Sequence, residues 1–340
     1  MLQIKVEDVK KITYENVEPP SVGRNEALVK VHSVGICGSD MHVYLDENPV
    51  LKPPKVQGHE FGGIIKEMGS PFSGLEEGMK VVVNPVVNCG SCYYCKSGQS
   101  YLCERQSVIG GDLDGAMKEE ISVPLANIVP LPDDFDLKYS PLIEPTSVAV
   151  HTVNGLIANG VRGSNVLIIG LGTVGLLIQQ VCKMNGNRVI AMDIQEHSLN
   201  LSKKLGADLV LNARRENTIE KISEFLGDKK LDVVFDIVNS KHSLNVAVNA
   251  VRKQGRIIMV GIPPKNFEVD VIGILCKEIH VTGSYLYSDS EFRTAAEYVI
   301  QGKVDIKPLL SKTFPFENAA EGYEYKLTVP SIKVALVNKM

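Results

Sequence analysis

Apolar and polar residues alternate along short runs in the first part of the chain, and this pattern predicts β-strands. The runs EALVKVHSVGI, GGIIKEMG and GMKVVVNPVV are separated by Gly, Pro and Asn at short intervals. Short strands between frequent turns are typical of an all-β or barrel-like domain. We expect such a domain over residues 1–150.

The pattern changes near residues 148–161, where apolar strands begin to alternate with helical segments. The strands NVLIIG, RVIAMD, LDVVFDIV and RIIMVGI are apolar throughout, and charged or amphipathic helices such as ENTIEKISEFLG lie between them. This order predicts an α/β fold with a doubly wound parallel sheet covered by helices on both faces. We expect it to span residues 151–285, and we expect residues 286–340 to return to the first domain.

Size and charge narrow the class of protein. A chain of 340 residues can form two domains, and its 36 basic and 40 acidic residues give a net charge of −4 without a basic block. That balance argues against nucleic acid or a membrane surface as a partner. The charged N-terminus is unlike a secretory signal, and no apolar run reaches the length of a membrane span. We therefore expect a cytoplasmic protein that acts on a small molecule.

The segment NVLIIGLGTVGLLIQQ carries a G-x-G-x-x-G motif between an apolar strand and an amphipathic helix. Such glycines allow a tight turn, close approach to a pyrophosphate and close packing of helix on strand. A turn that binds nothing is the alternative interpretation. The predicted cofactor-binding residues of this turn are Gly170, Gly172, Thr173, Val174 and Gly175.

An acidic residue, Asp193, closes the next strand eighteen positions after Gly175. A carboxylate there can accept hydrogen bonds from the adenosine ribose and repel a 2′-phosphate. The sequence therefore predicts a dinucleotide site that favours NAD over NADP. A solvated strand end is the alternative for Asp193 alone.

Four of the seven cysteines lie within fifteen positions, in a C-x2-C-x2-C-x7-C pattern. An odd total with such clustering is unlike a disulfide framework, whereas four thiolates on short spacers suit a closed structural zinc site. A bacterial iron–sulfur signature would end in x3-C-P, which this segment does not. The predicted ligands of the 89–103 lobe are Cys89, Cys92, Cys95 and Cys103.

Other candidate ligands stand in the runs GICGSDMH, GHEF and IEP. Together with the cysteine lobe and the glycine motif, in this order, they resemble the zinc-containing medium-chain dehydrogenase/reductase superfamily over nearly the whole chain. The runs GICGSDMHVY, NPVLKPPKVQGHEFGG and NPVVNCGSCYYC are similar to polyol dehydrogenases of the sorbitol, galactitol-phosphate and L-galactonate or L-idonate types. The resemblance implies a GroES-like β-barrel catalytic domain and a Rossmann domain.

The resemblance also implies a catalytic zinc, the second zinc ion of each subunit. Its ligands would be Cys37, His59 and Glu60, with Glu144 as a fourth ligand or as a partner of a zinc-bound water. One thiolate, one carboxylate and a neutral imidazole neutralise Zn²⁺. Direct binding of Glu144 would make the site negative and closed, whereas a catalytic site needs an open position. We therefore expect Glu144 to be exchangeable or to lie outside the first ligand shell.

Further roles follow from the same resemblance. A proton from the substrate would pass through Ser39 and the cofactor ribose to His42, and Asp40 would hydrogen-bond the ligand His59. The resemblance also implies cofactor contacts at Val260 and Gly261.

Two positions depart from the family pattern. Ser198 stands where a basic residue usually lies against the adenosine, which weakens the prediction of NAD. Leu286 stands where sorbitol-type enzymes carry an arginine, which leaves room for an acidic sugar or a diol as substrate.

These features predict an enzyme that oxidises a secondary alcohol of a polyol or sugar acid to the ketone with NAD. A butanediol-type dehydrogenase, suggested by GSYLY at residues 283–287, is the alternative. A zinc-bearing protein that senses NAD without turnover would have lost catalytic ligands, which this chain retains. The apolar run EIHVTGSYLY predicts a sheet edge that pairs with the same edge of a second subunit, in a homodimer or homotetramer.

Overall fold

The computed structural model describes residues 1–156, 160–263 and 265–339. Within these ranges, no helix is both long and apolar enough to cross a membrane. The strands are β1 (Leu2–Asp8), β2 (Lys11–Asn16), β3 (Glu26–Ile36), β4 (Phe61–Met68), β5 (Lys80–Val83), β6 (Val86–Val87), β7 (Ser107–Val108), β8 (Glu120–Pro124), β9 (Ile128–Pro130), β10 (Asn165–Ile169), β11 (Arg188–Asp193), β12 (Leu209–Asn212), β13 (Val233–Asp236), β14 (Arg256–Met259), β15 (His280–Gly283), β16 (Leu310–Pro315) and β17 (Lys333–Val337). The helices are α1 (Gly38–Tyr44), α2 (Tyr93–Lys96), α3 (Ile143–Val150), α4 (Thr173–Met184), α5 (Glu196–Lys204), α6 (Thr218–Leu226), α7 (Lys241–Ala250), α8 (Val271–Cys276), α9 (Asp289–Ile300) and α10 (Ala319–Thr328).

The chain divides into two compact units. Unit 1 comprises Met1–Ser147, Tyr287–Gly302 and Ile306–Met340, so that the C-terminal segments join the N-terminal part. Unit 2 comprises Val148–Leu286 and Lys303–Asp305.

Unit 1 is built on a seven-stranded sheet in the order β16-β17-β3-β4-β5-β9, with β8 also paired to β3. The valine-rich strand β3 is its longest strand, and Val29, Val31 and Val34 are fully buried along it. Burial of each such side chain contributes about 1.5–3 kcal/mol. Val34 lies opposite Phe61 of β4, and Ile36 lies opposite Val334 of β17. The end of β3 and the beginnings of β4 and β17 are therefore side by side.

Unit 2 contains a six-stranded sheet in the order β12-β11-β10-β13-β14-β15, and all of its neighbouring strands are parallel. This confirms the predicted parallel sheet. The order of strands runs outward from β10 in both directions, so the carboxyl ends of β10 and β13 flank the point where the topology reverses. In parallel sheets of this kind, ligands bind at that edge.

Candidate functional site

The candidate metal pocket of unit 1 begins at Cys37, where β3 ends and α1 starts. The backbone N–H of Cys37 donates to Oδ2 of Asp40 at 2.8 Å, within the first turn of α1. A carboxylate in this turn favours the helix start, because it lies near the positive end of the helix dipole. The Cys37 thiol is thus held at a rigid junction of strand and helix.

His59 and Glu60 reach the same place because β4 begins beside the end of β3. The N–H of Gly35 donates to the carbonyl of Glu60 at 2.7 Å. A Cβ atom at Gly35 would lie 2.1 Å from Oε2 of Glu60, so only glycine leaves room for this carboxylate. Adjacent side chains on a regular strand point to opposite faces of the sheet. His59 and Glu60 are not on a regular strand, because the chain bends at Glu60 before β4 begins, so both side chains can reach the pocket.

Strand β17, which pairs with β3, contributes Lys333, which the sequence analysis did not identify. Its ammonium donates to both carboxylate oxygens of Glu60, at 2.7 and 2.6 Å, and both side chains are at most 2% exposed. Burial opposes ionisation of Glu60, but Lys333 outweighs it and lowers the pKa of the carboxyl group. The lysine keeps Glu60 charged in a pocket that would otherwise favour its neutral form.

Asp40 supports the opposite side of the pocket. Its Oδ1 lies 3.8 Å from Nδ1 of His59, and its carbonyl accepts a hydrogen bond from Nε2 of Gln57 at 3.1 Å. The hydroxyl of the fully buried Tyr323 donates to Oε1 of Gln57. Burial alone would lower the pKa of His59, but the charges of Asp40 and Cys37 raise it well above its usual value.

The structure gives Glu144, near the start of α3, a partner of its own. The hydroxyl of Tyr287 donates to Oε1 of Glu144 at 2.7 Å, and both residues are buried. Burial raises the pKa of Glu144 to about 7. Glu144 does not belong to the group of ligand atoms that lie within 4.8 Å of one another.

That group consists of the Cys37 sulfur, a ring nitrogen of His59 and a carboxylate oxygen of Glu60. Sulfur, imidazole nitrogen and carboxylate oxygen are ligands of zinc, and three protein ligands with one open position are typical of catalytic sites. A carboxylate has lone pairs enough to bind a metal and an ammonium together. The residues present therefore fit a zinc ion.

Lys333 changes the charge count of this pocket. A zinc ion with one thiolate, one carboxylate and the lysine would carry a net charge of +1, and Glu144 would then bring it to zero. The charge count therefore no longer argues against direct binding of Glu144 to the zinc ion. The hydrogen bond from Tyr287 occupies one carboxylate oxygen of Glu144 and leaves lone pairs for a metal or a water.

The predicted proton-relay residues both lie on α1. Ser39 and His42 are three positions apart and therefore share a face of the helix. Ser39 is half-buried, and the His42 side chain is 39% exposed, with Nδ1 lying 3.3 Å from Oε2 of Glu47. A path through these two side chains would lead from the pocket to water.

The cysteine lobe brings its four thiols together. The sulfur–sulfur distances are 3.5 Å for Cys92–Cys95, 3.9 Å for Cys92–Cys103 and 4.0 Å for Cys89–Cys95. A tetrahedron of sulfurs about 2.3 Å from zinc has edges of about 3.8 Å. No disulfide joins these residues, and the N–H groups of Ser91 and Cys92 lower the pKa of Cys89 to about 5. The lobe fits one zinc ion.

In unit 2 the glycine motif forms the turn between β10 and α4. A Cβ atom at Gly175 would lie 1.9 Å from the carbonyl oxygen of Gly170, so the helix packs directly on the turn. In contrast, apart from Gly172 and its two chain neighbours, no described residue has a heavy atom within 4 Å of a Cβ built on Gly172. Gly172 precedes α4 and has no side chain to cap it, unlike Ser240, which caps α7. This uncapped and open helix start fits a phosphate group.

Asp193 is tied to that turn. Its Oδ2 accepts from the N–H of Leu171 at 2.6 Å, and its Oδ1 accepts from the N–H groups of Ile194 and Gln195. These bonds hold the carboxylate beside Leu171, between the first two glycines of the motif. The remaining lone pairs are available to ribose hydroxyl groups.

Val260 and Gly261 follow β14, two strands from the glycine turn on the same edge of the sheet. The side chain of Asn239 donates to the carbonyl of Gly261 at 2.7 Å, and a Cβ at Gly261 would meet the carbonyl of Ile237 at 2.1 Å. The backbone here is fixed by the end of the neighbouring strand β13. Its position suits a contact with the cofactor.

Sequence reasoning missed three residues that bond to the predicted site: Lys333, Tyr287 and Gln57. A lysine at the start of an apolar strand, as in SIKVALV, looks like a solvated strand end. The one hint in the sequence was that this lysine precedes four consecutive apolar residues. Tyr287 was noted only as part of GSYLY, and Gln57 stands two positions before His59 without a distinctive pattern.

Two family models match the chain. An alcohol dehydrogenase GroES-like domain matches residues 23–133, and a zinc-binding dehydrogenase domain matches residues 173–301. The first range contains the cysteine lobe and the residues Cys37, His59 and Glu60, and the second begins within the glycine motif, at Thr173.

Individual relatives are similar over nearly the full chain. The L-galactonate-5-dehydrogenase of Escherichia coli is 33% identical, over 93% of this chain and 92% of its own. An L-threonine 3-dehydrogenase of Rhizobium etli is 30% identical, over 95% and 94%. The crystal structure of L-idonate 5-dehydrogenase from Escherichia coli superposes with a TM-score of 0.89 at 29% identity, over 99% of this chain and 97% of that one.

Proposed function

Because the chain belongs to the zinc-containing medium-chain dehydrogenases, we propose that it oxidises a secondary alcohol of a polyol or sugar acid to the ketone, with NAD as acceptor. The observation that carries this proposal is the convergence of Cys37, His59 and Glu60, whose ligand atoms lie within 4.8 Å of one another. The names of the galactonate and idonate dehydrogenases, which are similar over nearly the full chain, support a sugar acid.

In the proposed mechanism, a bound zinc ion would polarise the alcohol and ease loss of its proton, while the nicotinamide would accept the hydride. Cys37, His59 and Glu60 would hold the metal. The carboxylate of Asp40 lies 3.8 Å from the imidazole of His59, beyond hydrogen-bond distance, and acts on it through its charge. Lys333 keeps Glu60 ionised. Each of these residues therefore either binds the metal or fixes the charge or position of a residue that binds it.

The proton would leave through α1. Ser39 is the first hydroxyl beyond Cys37, and His42 ends the route at a partly exposed imidazole. Positioned acid–base groups of this kind contribute about 10²–10⁴-fold in rate. In this proposal Glu144 binds a water or the substrate hydroxyl, held in place by Tyr287.

We propose NAD rather than NADP because the carboxylate of Asp193 is fixed beside the glycine turn. A 2′-phosphate in this place would meet an acidic group. The predicted cofactor contacts at Gly170, Gly172, Thr173, Val174 and Gly175, and at Val260 and Gly261, belong to the same proposal. A second zinc ion, held by the four thiolates of the lobe, completes the cofactors.

We also propose that two copies of the chain pair through β15. Among the strands of the described residues, β15 has one neighbour, β14, and all four of its residues are exposed. The adjoining helix α8 exposes Val271, Ile272 and Leu275 by 64–76%. An unpaired strand edge next to exposed apolar side chains is stabilised when a second copy covers it.

A substrate panel tests the reaction. Purified enzyme with zinc is given NAD or NADP and either L-galactonate, L-idonate, sorbitol, 2,3-butanediol or L-threonine, and reduced cofactor is followed at 340 nm. We expect the highest kcat/KM with a sugar acid or polyol and NAD. A preference for butanediol would favour the diol alternative, and no turnover of any alcohol would contradict the proposal.

The metal requirement is tested with Cys37→Ser. We expect this variant to lose turnover while it still binds NADH, because its cofactor turn in unit 2 is unchanged. Cys276→Ser, which replaces an exposed cysteine, is the matched control and should keep wild-type activity. Retained turnover in Cys37→Ser would remove the metal from the mechanism.

A further inference from the structure

A carboxylate contacts the histidine at the end of the proposed proton route. Nδ1 of His42 lies 3.3 Å from Oε2 of Glu47, and the side chains are 39% and 52% exposed. Glu47 is outside the residues assigned above to metal, cofactor or proton transfer. As an exposed ion pair it would contribute little to stability, about 0–1 kcal/mol.

The backbone around this contact is specifically built. The carbonyl of His42 accepts hydrogen bonds from the N–H groups of both Glu47 and Asn48, at 2.7 and 3.0 Å. The chain thus folds back over the last turn of α1 and carries the Glu47 side chain to the imidazole. The reversal passes through Asp46, whose φ of +59° is left-handed and suits Asp or Asn.

The segment after the reversal is held by its own side chains. Oδ1 of Asn48 accepts from the N–H groups of Val50 and Leu51, and Lys52 donates to Asp46 at 2.6 Å. These bonds fix the segment without using Glu47. The Glu47 carboxylate is therefore free to act on His42 alone.

The chemistry of the relay gives this contact a role. A neutral imidazole carries one proton, and the nitrogen that lacks it is the one that can accept another. Which nitrogen that is depends on the hydrogen bond that the other nitrogen makes. A carboxylate at Nδ1 can only accept, so it selects the form with the proton on Nδ1 and the lone pair on Nε2.

We propose that Glu47 is a positioning residue for proton transfer, and that it keeps Nε2 of His42 as the atom that accepts the proton. The inference rests on the proposed function. The alcohol loses a hydride to NAD and a proton to Nε2, and the imidazolium then returns one proton to water. Glu47 itself gains and loses nothing in this cycle.

The first experiment reads the tautomer directly. The ¹⁵N spectrum of histidine-labelled enzyme is recorded about two pH units above the ordinary histidine pKa of about 6.5, and His42 is assigned by its absence in His42→Gln. We expect Nδ1–H in the wild type and a loss of that preference in Glu47→Ala. Glu47→Gln should retain it, because the amide oxygen can still accept. A proton on Nε2 in the wild type would overturn the proposal.

The second experiment is a double-mutant cycle on hydride transfer in single turnover. We expect Glu47→Ala to slow the step about tenfold, part of the ~10²–10⁴ that a positioned acid–base group supplies, and to have no further effect in a His42→Ala background. Equal losses in both backgrounds would contradict the proposal.

Asp46→Asn is the matched control, since it removes the same charge from the next residue and tolerates its φ. It should stay within about twofold of the wild type, because the amide oxygen of asparagine can still accept from Lys52 and the exposed ion pair that is lost contributes only about 0–1 kcal/mol. If the wild type oxidises no alcohol, the proposed function fails, and the tautomer experiment still decides whether Glu47 orients His42.

Discussion

At the scale of single residues, the pocket depends on a pair of buried opposite charges. Glu60 and Lys333 come from positions 273 residues apart and meet with both carboxylate oxygens hydrogen-bonded. A buried pair is not necessarily stabilising compared with apolar residues, but removal of one partner leaves a buried charge without compensation. Lys333 is thus needed as long as Glu60 is needed for the metal.

The contribution of Lys333 to stability can be tested by substitution. Lys333→Met should lower the free energy of unfolding of the zinc-free protein by about 3–5 kcal/mol, because Glu60 loses its counter-charge. Urea unfolding followed by circular dichroism measures it. Lys339→Met is the control: that lysine is 77% exposed in its pair with Glu317, and an exposed pair is worth about 0–1 kcal/mol. Equal losses in the two variants would contradict the argument.

Two glycines of the same motif should respond differently to alanine. A Cβ at Gly175 overlaps the carbonyl of Gly170, whereas a Cβ at Gly172 meets open space. Gly175→Ala should therefore lower the melting temperature and NADH affinity together.

Gly172→Ala should leave the melting temperature unchanged but weaken NADH binding by about tenfold or more, which is about 1.4 kcal/mol or more. Fluorescence titration with NADH and a thermal melt separate the two effects. Wild-type affinity in Gly172→Ala would show that the open space at this turn does not receive the phosphate.

At the scale of elements, the cysteine lobe is a short segment whose secondary structure amounts to one four-residue helix and a three-residue turn. Such a segment has little core of its own, and a zinc ion bound to its four thiolates would supply much of its folding free energy. The sulfur geometry fits a single tetrahedral ion.

We expect Cys95→Ser to reduce the bound zinc from two ions to one per chain, measured by elemental analysis of the dialysed protein. Limited proteolysis should then cut within residues 89–103, because the lobe loses the bonds that order it. Cys276→Ser should keep both ions. Two ions in Cys95→Ser would mean that the lobe is not the second zinc site.

The secondary structure of unit 2 also explains why the parallel sheet could be predicted from the sequence. The strands of unit 2 are apolar on both faces and alternate with helices, and that pattern is sufficient for a parallel sheet. The GroES-like unit is different, since its seven-stranded sheet pairs β16 and β17 with strands from the beginning of the chain. Pairings at such distance leave no local periodic signal.

At the scale of the whole molecule, the exposed edge of unit 2 determines the expected assembly. The edge strand β15 and helix α8 together present apolar side chains to solvent, among them Ile272 at 76% exposure. A second copy that pairs with this edge would continue the sheet and cover the patch.

Ile272→Glu should therefore shift the protein from dimer to monomer in light scattering coupled to size-exclusion chromatography, because a charge on each copy would be buried against the other. Val50→Glu, at a residue of unit 1 that is 80% exposed, should leave the mass unchanged. A monomeric wild type would contradict the predicted pairing.

The sequence alone determined the chemistry that is encoded by short spacing. The glycine motif and the four-cysteine pattern each fit within a few residues, because a phosphate turn or a closed zinc site needs donors at fixed local distances. Cys37, His59 and Glu60 were implied only by the resemblance to the family. The parallel sheet followed from the same kind of local periodicity.

Only the tertiary structure decided which distant side chains complete the pocket. Lys333 reaches Glu60 because β17 pairs with β3, and Tyr287 reaches Glu144 from a segment that rejoins unit 1 after unit 2. Neither contact can be read from a local sequence pattern, because its two residues lie far apart in the chain. The net charge of the proposed metal pocket depends on strand pairing across nearly the whole chain.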